Sequence, residues 1–264
     1  MSIHPDHIMF AIREVAPART GWKSASQARI LGDIEAHAGA LMLSAGLLTY
    51  LRAAHFIAQI AHESDGFSTT EEYASGAAYE GRADLGNTEP GDGKRFKGRG
   101  LIQLTGRYNY GVYGALLGLP LLAQPELAAD PVISLRIAIA YWQRNTLSPL
   151  ADADNLVAIT KRINGGTNGL ADRRAYLAKA KAALMERLAA AVPADGSRPV
   201  LRRGSKEEEA VAELQARLRW AGFRIAVDGD FGPATDLAVR TFQRGQRLTV
   251  DGIVGPQTWT ALYL

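Results

Sequence analysis

Three glutamates that lie close together in the chain have the type and spacing for acid/base chemistry. Glu63 ends an apolar stretch that begins at residue 51, and the Ser-Asp-Gly sequence after it is a helix stop signal. Unpaired carbonyl groups at the C-terminal end of a helix disfavour negative charge, so a carboxyl group there suits a general acid. Glu72 lies nine residues further on, and Glu80 follows it. The spacing points to a pair of carboxyl groups, with Glu72 or Glu80 as the second.

Two carboxyl groups on either side of a bond are what the hydrolysis of a glycosidic linkage needs. One protonates the leaving oxygen, and the other, about 6.5–9.5 Å away in inverting enzymes, activates a water molecule. The structural alternative for Glu63 is a solvated glutamate in the last turn of a helix.

A polar, glycine-rich segment at residues 93–110 contains side chains that could bind a sugar. Gln103, Thr105, Tyr108 and Asn109 can hydrogen-bond hydroxyl and acetamido groups. The segment lacks the Gly-Lys-Ser/Thr ending of a phosphate-binding loop, and no predicted strand precedes it. A surface loop with a basic face is the competing interpretation.

A second glycine-rich segment, residues 162–173, ends where a helix is predicted to begin. Asn164 could donate to and accept from a sugar, and Arg173 could pair with a catalytic carboxylate and keep it ionised. His62 precedes Glu63 without forming a His-Glu-x-x-His motif, so a zinc peptidase is disfavoured. We therefore predict no metal and no cofactor.

The elements that must position these residues are predicted to be helices. Apolar residues recur at spacings of three and four around residues 28–61, 133–143, 155–163 and 173–188. Residues 64–111 lack this periodicity, and a long irregular segment inside a helical domain is usually functional or disordered. The predicted fold class is therefore mainly α, with the candidate side chains in loops and at helix ends.

Composition narrows the class of protein. The chain has 264 residues, of which 47% are hydrophobic and 22% charged, a net charge of +3 and no cysteine. These values exclude a disulfide scaffold and a thiol nucleophile, and they make nucleic acid an unexpected partner. The longest uncharged apolar run, Ala38–Leu51, is too short to span a bilayer and too far along the chain for a signal peptide. We therefore expect neither a secretion signal nor a stable membrane anchor.

The C-terminal part has an organisation of its own. Pro193 and Pro199 among small residues predict a linker at 189–203, which separates residues 1–188 from residues 204–264. Within the latter, Val-Asp-Gly-Asp-Phe-Gly-Pro-Ala-Thr at 227–235 is echoed by Val-Asp-Gly-Ile-Val-Gly-Pro-Gln-Thr at 250–258. Each copy predicts a turn followed by a helix with proline at its first position. Ser205 and Glu208 predict a capping box for an earlier helix, which completes a three-helix bundle.

Together, the segments of residues 1–188 resemble the catalytic domain of glycoside hydrolase family 19, the chitinase-like fold used by many phage endolysins. The matching segments are Ala61–Ser64, Glu72, Tyr79–Asn87, Gly98–Thr105, Ile163–Gly166 and Ala171–Arg173. The resemblance implies that Glu63 is the general acid, Glu72 the general base and Thr105 the hydroxyl that helps to hold the attacking water. It further implies that Gln103, Tyr108, Asn109 and Asn164 contact the sugar and that Arg173 is the arginine linked to the catalytic carboxylates. The predicted substrate-binding residues are these five together with His62 and Glu80.

One position departs from the family pattern. Asn168 stands where plant chitinases carry an acidic residue shortly after Asn-Gly-Gly, so their full ionic network is not expected here. The repeat in residues 204–264 is similar to the three-helix peptidoglycan-binding domain.

The combined prediction is a modular endolysin that hydrolyses the β-1,4 bond between N-acetylmuramic acid and N-acetylglucosamine. We expect a monomer whose polymer partner is peptidoglycan. It would be made in the bacterial cytoplasm and reach the wall in the periplasm after the membrane is permeabilised. The alternatives are a chitinase, a lytic transglycosylase that leaves an anhydro-sugar end, and a non-catalytic wall-binding protein.

Overall fold

The computed structural model describes residues 3–190 and 198–263, and this part of the protein is mainly helical, as predicted. Short 3-10 turns interrupt the loops at Ala77–Tyr79, Ala83–Leu85 and Pro125–Ala129. The described helices are α1 (Asp6–Val15), α2 (Gly21–Glu35), α3 (Ala38–Ser44), α4 (Tyr50–Glu63), α5 (Asp92–Arg95), α6 (Arg107–Leu117), α7 (Pro131–Arg144), α8 (Ser148–Asp152), α9 (Leu156–Asn164), α10 (Leu170–Ala190), α11 (Glu208–Trp220), α12 (Pro233–Gly245) and α13 (Pro256–Tyr263).

The chain divides into two compact units, Ile3–Leu184 and Met185–Leu264, and the division falls inside α10. The predicted linker, residues 189–203, follows the predicted domain boundary at residue 188 and includes residues 191–197. Those residues lie outside the described part, so both stay predictions. None of the described helices has the length and hydropathy that crossing a membrane requires.

Helix α4 lies in the core of the first unit and carries Glu63 at its end. Every residue of Ala53–Ala61 is buried, which is typical of a helix surrounded by other elements. Phe56 packs edge-on against Trp142 of α7, with ring centroids 5.5 Å apart. Because the helix is held on several sides, the position of Glu63 is fixed relative to the rest of this unit.

Residues 64–106 contain little regular structure and are ordered by charged side chains instead. Arg107 forms two hydrogen bonds of 2.5 and 2.7 Å to the buried Asp92 carboxylate. These bonds from the Arg107 guanidinium lower the pKa of Asp92. Arg99 donates to the Tyr110 hydroxyl at 3.1 Å and to the Glu71 carboxylate at 3.2 Å. The segment that lacks periodicity in the sequence is therefore held by specific side-chain bonds.

His55 is a buried histidine on α4, about two turns before Glu63. Its Nε2 lies 2.7 Å from the Asp154 carboxylate, which also accepts from Lys181 at 2.6 Å. Its Nδ1 is buried without a hydrogen-bond partner, so a proton there would be an unsatisfied charged donor. Burial lowers the pKa of His55, although the Asp154 carboxylate acts in the opposite direction. The neutral imidazole is the form that fits the folded protein.

Folding stability is therefore expected to fall as the pH drops below 6.5, the ordinary pKa of histidine. In that range the unfolded chain binds a proton that the folded chain resists, with a slope of at most about 1.4 kcal/mol per pH unit. Denaturant unfolding between about pH 7 and pH 5 should show a flatter dependence in His55→Gln. The exposed His37→Gln is the matched control and should keep the wild-type slope. An unchanged slope in the His55 variant would contradict this explanation.

The second unit is a three-helix bundle in which two buried glutamines fix the repeated turns. Gln215 of α11 accepts from the backbone N–H of Gly229 at 2.9 Å and donates to the Asp228 carboxylate at 2.7 Å. Gln243 of α12 accepts in the same way from the backbone N–H of Gly252 at 3.0 Å. The two Asp-Gly copies in the sequence are therefore two copies of one hydrogen-bonded turn.

The helix starts in this unit agree with the sequence in two cases and differ in the third. Pro233 and Pro256 are the first residues of α12 and α13, as predicted. The predicted capping box is wrong, because α11 begins at Glu208 and has no side-chain cap. Ser205 instead accepts from the backbone N–H of Arg202 at 3.0 Å. Its hydroxyl stabilises the turn before the helix rather than the helix itself.

Replacing Gln243 by leucine is expected to destabilise this bundle by about 2–4 kcal/mol, because several buried turn groups lose their partner at once. The lost bonds include the one from the Gly252 N–H and those to the Asp251 carboxylate and the Ile253 carbonyl, both 2.9 Å. Calorimetric unfolding of the full chain measures the effect. Gln246→Leu, at an exposed position just past the same helix, should leave the transition within about 0.5 kcal/mol of wild type. Equal stability of the two variants would show that the glutamine does not hold the turn.

Candidate active site

Glu63 is held at the end of α4 by a buried arginine from α10. One terminal nitrogen of Arg173 donates to Oε1 of Glu63, and the other donates to Oε1 of Gln59. The Arg173 side chain is 1% exposed, whereas the Glu63 side chain keeps 16% exposure. Gln59 precedes Glu63 by four residues, so both side chains leave the same face of the helix. Arg173 therefore fixes one carboxylate oxygen of Glu63 while the group stays accessible.

Glycine allows the start of α10 to approach this point. A Cβ atom on Gly169 would lie 2.3 Å from the His62 ring, so a larger residue does not fit there. The Gly169 carbonyl accepts from the backbone N–H of Arg173 at 2.9 Å. Nδ1 of His62 lies 2.6 Å from the Asp172 carboxylate. The glycine-rich segment singled out in the sequence thus brings Arg173 to Glu63.

Glu72 is held by a hydroxyl group rather than by a charge. Its backbone N–H donates to the Gly98 carbonyl at 3.0 Å, and the Tyr79 hydroxyl donates to its Oε2 at 2.9 Å. Its Oε1 is buried and has no hydrogen-bond partner. A buried acceptor without a partner is energetically costly, so this oxygen is well suited to accept from a water molecule or a substrate.

Gln103, Thr105 and Asn109 form a hydrogen-bonded set beside Glu72. A Cβ atom on Gly98 would lie 2.7 Å from Oε1 of Gln103 and 3.2 Å from Oε2 of Glu72, so both side chains pack on this glycine. The Thr105 hydroxyl donates to the Gln103 carbonyl at 2.9 Å, and the Asn109 amide donates to the Thr105 carbonyl at 2.8 Å. Gln103 has a φ of 51°, which is unfavourable for a residue other than glycine. Strained backbone conformations of this kind often occur at functional sites.

Glu80, the other candidate for the second carboxyl group, is occupied by the backbone of its own loop. Its two oxygens accept from the backbone N–H groups of Gly91 at 2.6 Å and Gly93 at 2.9 Å. Glu72 keeps a carboxylate oxygen without a partner, whereas Glu80 uses both oxygens to hold residues 91–93. Of these two carboxylates, Glu72 is therefore the one with an oxygen available to a water molecule.

Two predicted sugar-binding residues, Tyr108 and Asn164, differ in how accessible their polar groups are to a ligand. Tyr108 is 61% exposed and can meet a ligand. Asn164 uses its amide within its own loop, donating to the Asn168 carbonyl at 2.7 Å and accepting from the Gly166 N–H at 2.9 Å. The sugar contacts of both residues stay predictions. Among residues 3–190 and 198–263, no three His, Asp or Glu side chains are grouped to bind a metal.

Three side chains near the glutamates were not predicted as site residues. Gln59 is a buried polar residue among apolar ones, one turn before Glu63 in α4. A polar residue at such a position is the sequence signal that could have identified it. Tyr79, which holds Glu72, lies in the irregular segment where no periodicity indicates contacts. Burial raises the pKa of Tyr141 to about 12, and the Glu63 carboxylate acts in the same direction, while the Tyr141 hydroxyl donates to the Arg162 carbonyl at 3.2 Å.

Both units of the chain match models of known protein families. The family model described as chitinase class I matches residues 49–169, and the model of the peptidoglycan binding domain matches residues 207–262. A glycosyl hydrolase family 19 domain-containing protein of Haemophilus influenzae is 30% identical over 161 residues, which are 49% of this chain and 78% of that protein. The chain belongs to glycoside hydrolase family 19. Its C-terminal part is a peptidoglycan-binding domain, so both predicted resemblances are confirmed.

The chain spans less than half the length of the plant endochitinase that it resembles in sequence, and it also resembles solved chitinase structures. An endochitinase of Arabidopsis thaliana is 38% identical over 122 residues, and the match covers 46% of this chain and 42% of that enzyme. Among solved structures, chitinase C from Streptomyces griseus HUT6037 has a TM-score of 0.48 at 22% identity over 66% of this chain and 75% of that chain. A class IV chitinase from Zea mays has a TM-score of 0.49 at 24% identity over 67% of this chain and 90% of that chain.

Proposed function

We propose that the protein is an endolysin-type muramidase, which hydrolyses the β-1,4 bond between N-acetylmuramic acid and N-acetylglucosamine. The observation that carries the proposal is the pair of restrained glutamates. Arg173 fixes one oxygen of Glu63, and Tyr79 fixes one oxygen of Glu72, whose other oxygen has no partner. The peptidoglycan-binding domain in the same chain supports peptidoglycan as the polymer.

The reaction follows from two carboxyl groups with different tasks. Glu63, protonated on the oxygen that Arg173 does not hold, donates this proton to the glycosidic oxygen as the bond from that oxygen to the anomeric carbon breaks. Glu72 takes a proton from a water molecule, whose oxygen forms a new bond to the anomeric carbon from the opposite face. The products are a sugar with a free hydroxyl and a reducing end of inverted configuration. Thr105, next to Gln103 in the loop beside Glu72, would help to hold this water.

The binding domain gives the enzyme a second hold on the same polymer. Tethering a catalytic unit to its substrate raises the local substrate concentration without any new contact at the active site. We propose that a monomer made in the bacterial cytoplasm reaches the wall in the periplasm once the membrane is permeabilised. Cleavage of the glycan strands there would lyse the host cell.

A chitinase is the second candidate function, because the named relatives of the catalytic part include endochitinases. Product analysis separates the candidates. Purified peptidoglycan and chitin are digested, the new ends are reduced with borohydride, and the products are read by mass spectrometry. A muramidase leaves reduced muramic acid ends, a glucosaminidase reduced glucosamine ends, and a lytic transglycosylase an anhydro-sugar without added water. Release from chitin alone would support the chitinase, and wall binding without any cleavage would leave a non-catalytic wall-binding protein.

A further inference from the structure

Two exposed aromatic rings form a surface beside the candidate glutamates. Trp22 lies at the start of α2, and Tyr73 directly follows Glu72 in the chain. The rings meet edge to face with centroids 5.8 Å apart, and each residue is 61% exposed. Trp22 lies outside the part of the chain that the chitinase family model matches. Exposed aromatic pairs of this kind are typical of binding surfaces rather than of the core.

A central carboxylate holds this pair in place. One oxygen of Asp65 accepts from Lys23 at 2.6 Å and from the Tyr73 hydroxyl at 2.9 Å, and the other accepts from Arg19 at 2.6 Å. Burial acts to raise the pKa of Asp65, but the bonds from Lys23 and Tyr73 and the charge of Arg19 lower it overall. The ionised Asp65 therefore links α2 to the segment that contains Glu72.

The aromatic surface is connected to both glutamates through short stretches of chain. Asp65 lies two residues after Glu63, and Tyr73 one residue after Glu72. The hydrogen bond between Asp65 and Tyr73 thus joins the two glutamate-bearing segments. The Tyr73 ring, against which Trp22 packs, is therefore held by the chain segments that carry both glutamates.

The charges of the same cluster also act on Tyr176 of α10. Burial raises the pKa of Tyr176, and the Asp172 carboxylate, the Arg19 guanidinium and the Asp65 carboxylate all act on its hydroxyl. Asp172 is the partner of His62, the residue before Glu63. The charges of Arg19 and Asp65 are therefore felt at Tyr176, three residues after Arg173 on α10.

The cluster is also positively charged overall. It contains the two cations Arg19 and Lys23 against the single anion Asp65. The Lys23 ammonium lies 5.3 Å from the centroid of the Tyr73 ring and 5.8 Å from that of the Trp22 ring, and its side chain is 35% exposed. A ligand that stacks on the rings would meet this charge at the same time.

We propose that Trp22, Tyr73 and Lys23 form a binding site for a sugar of the peptidoglycan strand beyond the cleaved bond. The apolar face of the sugar ring stacks on Trp22, and Lys23 lies close to the carboxylates of the peptide stem. Chitin carries no such carboxylates, so Lys23 favours peptidoglycan over chitin. This inference rests on the proposed function and names the part of the substrate that the surface recognises.

The experiment compares two soluble substrates of equal length, stem-bearing peptidoglycan oligomers and chitooligosaccharides. Trp22→Ala is expected to raise KM about tenfold on both substrates with little change in kcat, because binding away from the reacting bond is lost. Trp22→Phe should recover most of the affinity. Lys23→Gln is expected to raise KM about two- to fivefold on the stem-bearing substrate and to leave chitooligosaccharides unaffected.

Matched controls separate recognition from folding and from the proposed function. Arg29→Gln removes an exposed cation from the same helix and should change neither KM, and thermal unfolding checks that each variant is folded. Wild-type KM values in Trp22→Ala on every cleaved substrate would overturn the stacking site. Equal effects of Lys23→Gln on both substrates would overturn the preference for peptidoglycan. If the wild type cleaves only chitooligosaccharides, the proposed function fails, and the Trp22 variants still test stacking on that substrate.

Discussion

The Glu63→Gln variant is expected to lose about 10³-fold of the wild-type rate of glycan cleavage, because the leaving oxygen is no longer protonated. Glutamine keeps the shape of the side chain and can still accept from Arg173, so the fold should be preserved. The rate is measured as new reducing ends released from purified peptidoglycan. Binding to intact walls should stay at the wild-type level, since the peptidoglycan-binding domain is unchanged.

The leaving group distinguishes the acid from the base. A substrate with an activated aryl leaving group needs no protonation, so Glu63→Gln should regain much of its rate on it. Glu72→Gln should be slow on both substrates, because the attacking water still lacks a base. Glu71→Gln is the matched control, since Glu71 is adjacent in the chain and pairs with Lys97 and Arg99 instead.

Two results would overturn this assignment of roles. Near-wild-type cleavage by Glu63→Gln would remove Glu63 from the reaction altogether. Loss of activity in Glu80→Gln at wild-type stability, with Glu72→Gln fully active, would make Glu80 the second carboxyl group. The structure predicts instead that Glu80→Gln acts through its loop, since both oxygens of Glu80 hold backbone N–H groups.

Replacing Arg173 by methionine is expected to cost about 2–4 kcal/mol of folding stability and most of the activity. The arginine is buried, and its removal leaves the Glu63 carboxylate and the Gln59 amide oxygen without their shared donor. Denaturant unfolding gives the stability, and cleavage of peptidoglycan gives the activity. Arg174→Met, at the next and exposed position of the same helix, should change the folding stability by no more than about 0.5 kcal/mol and leave the cleavage activity unchanged.

The conservative variant separates orientation from charge. Arg173→Lys keeps the positive charge, but a single ammonium lacks the planar fork that serves Gln59 and Glu63 together. It should therefore keep more stability than Arg173→Met and still lose activity. In a double-mutant cycle, Glu63→Gln should reduce the activity much less in the Arg173→Met background than in the wild type, because the two side chains act as a unit. Additive losses would show that the arginine does not act through Glu63.

Much of the local structure was determined by the sequence alone. The apolar run before Glu63 and its Ser-Asp-Gly stop predicted a buried helix, and α4 ends at Glu63. The repeated Gly-Pro pairs predicted the first residues of α12 and α13. Periodicity, stop signals and proline geometry act within a few residues of one another, so they can be read along the chain.

The contacts between distant side chains were decided only by the tertiary structure. Arg173 and Glu63 are 110 residues apart, and nothing in the sequence required Gln59 as the second acceptor of that arginine. The sequence also left Glu80 as a reserve candidate beside Glu72, and their hydrogen bonds distinguish the two. A carboxylate's role depends on which donors the folded chain brings to its oxygens. That is set by the packing of whole helices and loops, which no short pattern encodes.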